Sequence, residues 1–207
     1  MKNYTFKNPT LIYFLIGAIV IILGIFYFTS RAKETGDVVY NQTTPAIPTR
    51  AIIETNYGNI EITFLKGKAT TTINNFINLA DKSFYDGTKF HRVIQDFMIQ
   101  GGDPNTKNDN VSSYGTGGPG YTFPDEINDE IMNRTAVAMA NSGANTNGSQ
   151  FFIVTAVNAP WIQGKHTIFA RVTRGIDVAI KISKVQVVNK TSNRPVSPVI
   201  VKKVILK

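Results

Sequence analysis

Beyond residue 49 the apolar residues of this chain come in short runs, and the segments between them are rich in Gly, Asn, Ser and Pro. Four such runs cover 97–99, 136–139, 151–154 and 168–172. Apolar runs this short, bounded by turn residues, read as β-strands. Two further strands precede them at 51–55 and 60–64, with Asn56-Tyr57-Gly58-Asn59 as the turn of a hairpin. In the second of these, Ile60, Ile62 and Phe64 face one way and Glu61 and Thr63 the other. A last strand fits 199–206. Two stretches carry helical spacing instead. In 71–80, Ile73, Phe76, Ile77 and Ala80 recur at i, i+3, i+4 and i+7, and threonines stand where they can cap the amino end. In 176–182, Val178 and Ile182 share one face. Many short strands with two helices predict a mainly β domain, a closed barrel with helices over its ends. Closure leaves no sheet edge exposed.

The first 48 residues obey different physics. Residues 11–28, LIYFLIGAIVIILGIFYF, hold no charge. As a helix they reach about 27 Å, close to the hydrocarbon thickness of a bilayer. Tyr13 and Tyr27 lie near the ends, where amphipathic rings favour the interface. A cleaved signal peptide needs an apolar region of about 7–15 residues before a small-x-small site. Ser30-Arg31-Ala32 fits such a site loosely, but the run is too long, so an uncleaved signal anchor is the better reading. Lys2 and Lys7 before the run balance Arg31 and Lys33 after it. The free amino terminus then tips the positive-inside rule toward an amino end in the cytosol. Residues 29–48 are polar, contain Pro45 and Pro48, and read as a linker. The expected organisation is a tail at 1–10, a single transmembrane helix at 11–28 that meets the lipid bilayer, a linker at 29–48 and a domain at 49–207. The domain is expected on the extracytoplasmic side of the membrane.

The net charge is +8, but the basic residues are scattered rather than clustered. A solvated basic surface fits them, and no nucleic-acid partner is expected. The chain has no cysteine. Disulfides, thiol catalysis, cysteine-held metals and a lipoprotein anchor are therefore all excluded.

Three blocks carry the chemistry. The first is Phe90-His91-Arg92-Val93-Ile94-Gln95-Asp96-Phe97-Met98-Ile99-Gln100-Gly101-Gly102-Asp103. The second runs from Met139 through Ala140-Asn141 to Asn147-Gly148-Ser149-Gln150-Phe151-Phe152-Ile153. The third is Trp161-Ile162-Gln163-Gly164-Lys165-His166-Thr167-Ile168-Phe169. Together they describe an apolar groove rimmed by a few hydrogen-bonding groups, with no evident nucleophile. Gln150, Phe152 and Val154 alternate onto one strand face, and Met98 and Gln100 stand two apart; Phe97 falls on the opposite parity. Arg92 brings a permanent cation with a fixed fork of donors. By spacing alone it fits an ion pair with Asp96 or Asp103 better than it fits a site. His91 and His166, the two histidines, lie far apart with no carboxylate pattern, so no metal is expected. His91 suits a structural hydrogen bond near the site. The Gly115-Thr116-Gly117-Gly118-Pro119-Gly120 run lacks the Lys-Ser/Thr of a phosphate loop and reads as a turn-rich loop.

The FHR…FMxQGGD and NGSQFFI runs, in this order, resemble the cyclophilin family of peptidyl-prolyl cis–trans isomerases, and the resemblance spans 49–207. It implies eight antiparallel strands in a closed barrel capped by two α-helices. It implies rotation about X–Pro bonds of unfolded or newly exported proteins, with no cofactor. The matching arginine, Arg92, would face the proline carbonyl and amide nitrogen as the catalytic group. Phe97, Met98, Phe152 and Ile162 would form the proline pocket. Gln100 would steady Arg92 and touch substrate, and Gln150 would touch substrate beside Phe152. Ala140 and Asn141 would offer backbone hydrogen bonds to an extended peptide. His91 would lie near the site, and His166 and Trp161 would wall the groove. Trp161 matches the residue that favours cyclosporin binding, so a cyclosporin-type inhibitor is an expected ligand. A rival reading keeps the same groove as a proline-peptide-binding scaffold or chaperone module without turnover.

Overall fold

The computed structural model describes residues 47–207. The expected tail, the expected membrane span at 11–28 and all but the last two linker residues lie outside the described residues. Among the described residues no helix is long and apolar enough to cross a membrane.

The chain opens with the hairpin that its alternation predicts. Strand β1 is Arg50–Thr55 and β2 is Gly58–Phe64, paired antiparallel through a two-residue turn. Thr55 holds that turn: its hydroxyl accepts from the Tyr57 N–H at 3.0 Å and donates to the Gly58 carbonyl at 2.7 Å. Helix α1, Thr70–Asp81, buries Ile73, Phe76, Leu79 and Ala80 along its apolar stripe. Its amino end departs from expectation, since no threonine side chain caps it. A distant carboxylate does so instead. Glu126 accepts from the Thr71 N–H at 2.9 Å, the Thr72 N–H at 2.8 Å and the Thr72 hydroxyl at 2.8 Å. Burial alone would raise the Glu126 carboxyl, but these hydrogen bonds outweigh it and the net shift is downward.

Six more strands complete the sheet: β3 Arg92–Ile94, β4 Met98–Gly101, β5 Ala136–Met139, β6 Phe151–Val154, β7 Ile168–Arg174 and β8 Val201–Leu206. Helix α2, Ile176–Ser183, follows β7 and buries Ala179 and Ile182. The strands form one antiparallel sheet in the order β3-β4-β6-β5-β7-β2-β1-β8. The eight strands and two helices agree with expectation, whereas the closed barrel is met only in part. The sheet curls until its edge strands approach, but β3 and β8 form no ladder with each other. The seam is bridged just outside them, by a Lys89–Ile200 pair and by the Phe90 N–H donating to the Val199 carbonyl at 2.9 Å.

Both faces of the β4–β6–β5 region are covered, which explains why β5 and β6 are apolar at every position. Ile99, Phe151 and Ile153 join the main core with Phe76, Phe169 and Tyr85. There the Phe76 ring centroid lies 4.9 Å from Tyr85, 5.6 Å from Phe151 and 5.4 Å from Phe169. Met98, Ala138, Phe152, Val154 and Ile168 point the other way and form a second apolar cluster with Met132. That second cluster is the floor of the site.

Candidate active site

Register brings the first two blocks together. Arg92 pairs with Gln100 across β3–β4, Gln100 with Phe152 across β4–β6, and Phe152 with Ala138 across β6–β5. Directly opposed residues share a sheet face, so a cation, an amide and an aromatic ring stand in a row. Arg92 Nη1 donates to Gln100 Oε1 at 3.3 Å, and Gln100 Nε2 donates to Gln150 Oε1 at 3.0 Å. Among the described residues Arg92 has no ion pair; Asp103, one of its suggested partners, is fully buried and accepts from the Asn105 and Gly115 N–H groups. Burial lowers the Arg92 pKa from its ordinary value, but a guanidinium keeps its charge under any ordinary condition.

Phe97 joins this row by an unexpected route. It is the last residue of the β3–β4 turn, in which Asp96 has φ 55° and the Phe97 N–H donates to the Ile94 carbonyl at 3.1 Å. Outside the ladder, strand parity no longer governs it. Its half-buried ring packs on the floor cluster and lies 5.4 Å from the Trp161 ring. Trp161 is 54 % exposed, and with Ile162 it stands on a single 3₁₀ turn, Pro160–Ile162. Ile162 packs against the floor, where Met98 is 2 % exposed and Phe152 5 %.

The third block closes the other side. His166 Nδ1 lies 3.0 Å from the Met139 carbonyl, which can only accept, so the neutral ring carries its proton there. Its ring meets Phe152 edge-on at 5.2 Å between centroids. Burial lowers the His166 pKa, which favours the neutral form. The Ala140 N–H is already spent on the Gln150 carbonyl at 2.9 Å. The Asn141 Nδ2 is engaged too, donating to the Lys165 carbonyl at 3.1 Å and to Asp125 at 3.4 Å.

His91 stands apart from the groove. Its ring is 7 % exposed, lies on the Val93 side of the chain, and lines a separate cavity of about 150 Å³ with Lys89, Tyr114 and Arg194. Its Nδ1 meets no partner at full hydrogen-bond geometry. Burial lowers its pKa, and the Lys89 backbone, acting on the ring as a hydrogen-bonding group, opposes that lowering. The sequence reading also missed part of the rim. A cavity of about 770 Å³ beside the apolar floor is lined by Gln100, Ala140, Asn141 and Gln150 on one side and by residues 115–122 on the other. The glycine run does form a loop, as read. Nothing in its residues announces that two of its carbonyls would meet Gln150.

The site as a whole holds one fixed cation over an apolar floor, two amides in series, and an exposed backbone on the far rim. It has no nucleophile paired with a base, and among the described residues no three His, Cys, Asp or Glu side chains converge. Such a groove suits binding and turning a peptide rather than cleaving it.

Comparisons with known proteins agree. The family model described as cyclophilin type peptidyl-prolyl cis-trans isomerase/CLD matches residues 50–205. Peptidyl-prolyl cis-trans isomerase-like 1 of Rhizopus delemar is 46 % identical over 137 residues, which is 65 % of this chain and 80 % of that protein. Peptidyl-prolyl cis-trans isomerase B of Streptomyces anulatus is 42 % identical over 175 residues, 75 % of this chain and 95 % of that one. The crystal structure of a cyclophilin type isomerase from Cryptosporidium parvum superposes with a TM-score of 0.68 at 30 % identity, covering 77 % of this chain and 98 % of the other. The same protein in the presence of the dipeptide Ala-Pro gives a TM-score of 0.67.

Proposed function

The chain belongs to the cyclophilin-type peptidyl-prolyl cis-trans isomerases, and from that membership we propose how its own residues perform the reaction. It is an isomerase that accelerates rotation about X–Pro peptide bonds. The uncatalysed barrier is about 18–20 kcal/mol because the C–N bond has partial double-bond character. Rotation breaks no bond, so the catalyst has to favour the twisted amide over both planar forms.

Arg92 is the catalytic group. As the amide twists, its nitrogen pyramidalises and gains a lone pair. A guanidinium donating to that nitrogen stabilises the twisted state and neither planar one. The observation that carries this reading is the row Arg92, Gln100 and Phe152 on three adjacent strands, a permanent donor beside an apolar floor. The proline ring sits on Phe97, Met98, Phe152 and Ile162, with Trp161 and His166 as walls. The backbone of Ala140 and Asn141, with Gln100 beside it, holds one flank of the peptide while the other turns. His91, buried apart from the groove, does not touch substrate.

The substrates are proline-containing stretches of unfolded or newly exported proteins, and a cyclosporin-type inhibitor would fill the same groove against Trp161. Residues 11–28 anchor the chain in the bilayer as an uncleaved signal anchor, with the domain on the extracytoplasmic side. Their lack of charge and their length support that placement.

The test is turnover of an X–Pro peptide by the full chain and by its Arg92→Ala variant. Turnover should fall at least about tenfold, or about 1.4 kcal/mol in the barrier. A folded Arg92→Ala protein with undiminished turnover contradicts the assignment.

A further inference from the structure

Arg92 is the end of a hydrogen-bond chain that leads away from the groove, and every link in it has a fixed polarity. Gln150 Nε2 lies 3.0 Å from the Gly115 carbonyl oxygen and 2.9 Å from that of Gly117. A carbonyl oxygen only accepts, so the amide end facing both must be the nitrogen. Gln150 Oε1 is thereby turned toward Gln100 and accepts from its Nε2 at 3.0 Å. Gln100 then has only Oε1 left for Arg92, whose Nη1 donates to it at 3.3 Å. A guanidinium only donates, so the two ends of the chain agree on one orientation for both amides.

The loop that supplies the two carbonyls is itself fastened. Asp103 is fully buried. Its carboxylate accepts from the Asn105 N–H at 2.8 Å and from the Gly115 N–H. Gly117 passes so close that a Cβ there would overlap Asp103 Oδ1. Only glycine lets the loop seat against this carboxylate and bring the Gly115 and Gly117 carbonyls to one amide.

We propose that Gln150 and Asp103 are positioning residues for the isomerisation: they fix the orientation of the Gln100 amide and so aim the Arg92 guanidinium. This deepens, and rests on, the reading of Arg92 as the acting donor. If the Gln100 amide were free to flip, its NH₂ would face the guanidinium for part of the time, donor against donor, and Arg92 would swing. A poorly aimed donor loses contact with the twisted amide, while the apolar floor still binds the planar peptide. The loss therefore falls on kcat and leaves KM nearly alone.

Gln150→Met in the full chain tests this. The new side chain keeps about the same length but neither donates to the two carbonyls nor accepts from Gln100, so the polarity of the chain loses its anchor. In the folded variant kcat should fall about fivefold to tenfold with KM within about twofold. The Arg92 side-chain ¹⁵N–¹H resonances, recorded without substrate, should move toward those of a freely solvated arginine. Asp103→Asn, which presents an NH₂ to a backbone N–H, should change both readouts in the same direction. Unchanged kcat, or a rise in KM alone, makes Gln150 a plain binding residue and overturns the proposal. If neither variant folds, the unmutated chain decides: a freely rotating Arg92 guanidinium overturns the proposal, and a restricted one supports it. Failure here is separable from failure of the underlying reading. Full turnover by Arg92→Ala removes the donor assignment itself, whereas an impaired Arg92→Ala beside an unimpaired Gln150→Met removes only the positioning chain.

Discussion

On the proposed reading, Arg92 contributes one donor, held by Gln100, to an enzyme that breaks no bond. Two other residues have consequences that can be measured. The Tyr85 hydroxyl is buried with no hydrogen-bond partner, and burial holds its pKa far above the ordinary range. An unpaired buried hydroxyl costs about 1–3 kcal/mol. Tyr85→Phe keeps the ring stacked on Phe76 and should raise stability by about 1 kcal/mol, read from the thermal or denaturant midpoint. A lower midpoint would show that the hydroxyl has a partner after all. His91 and His166 are both shifted down by burial, from an ordinary value of 6.5. Below that value the unfolded chain takes up protons that the folded one refuses. Stability should therefore be complete above pH 6.5 and decline as the pH falls through and beneath it. His91→Gln should make that decline shallower, as denaturant midpoints at pH 7.5 and 5.5 would show. An equal slope in the variant would remove His91 from the account. The residue types at the site were legible because Arg, Gln and large apolar side chains recur in long runs. Their partners were not. Which amide end faces which carbonyl depends on a loop more than thirty residues away from Gln150.

At the scale of elements, what was legible was whatever repeats with a short period. The β1–β2 hairpin follows from alternation and a turn, and α1 from its stripe. Strand β3 was not announced, because three residues with only Val93 buried carry no period. Phe97 reads as the start of a strand on the opposite parity to Met98 and Gln100, but it closes the turn after Ile94 and lies outside the ladder, which begins at Met98. The cap of α1 was sought in its own threonines, the local choice, and was found in Glu126, some fifty residues further along. A carboxylate at a helix amino end satisfies orphan N–H groups and meets the positive end of the dipole. Glu126→Ala should thus destabilise the fold by about 1–2 kcal/mol, measured by denaturant unfolding. An unchanged midpoint would mean that water replaces the cap at no cost. The same variant should leave the floor of the groove intact, since Glu126 touches none of it.

Across the whole described molecule, one curled sheet does two jobs. Its inner face packs with α1 into the main core, and its outer face at β4, β6 and β5 floors the groove. The amino-terminal run adds a prediction about the full chain. On the proposed reading of residues 11–28 as a span, the full chain should remain in the membrane fraction through high-salt and alkaline washes, because an apolar span is not held by charge. Adhesion through the +8 charge would be released by salt, since such attraction is screened within about 10 Å at 0.1 M. Release by salt, or a mature chain beginning near Lys33, would replace the anchor. The central claim is more demanding: the chain turns X–Pro bonds, and Arg92 is why. It is tested most directly by exchange NMR of one X–Pro peptide with a substoichiometric amount of the full chain. The account predicts that cis-to-trans and trans-to-cis rates rise by the same factor with the cis fraction unchanged. It also predicts that folded Arg92→Ala gives at most about a tenth of that increase. A shifted cis fraction without faster exchange, or equal acceleration by Arg92→Ala, would contradict it.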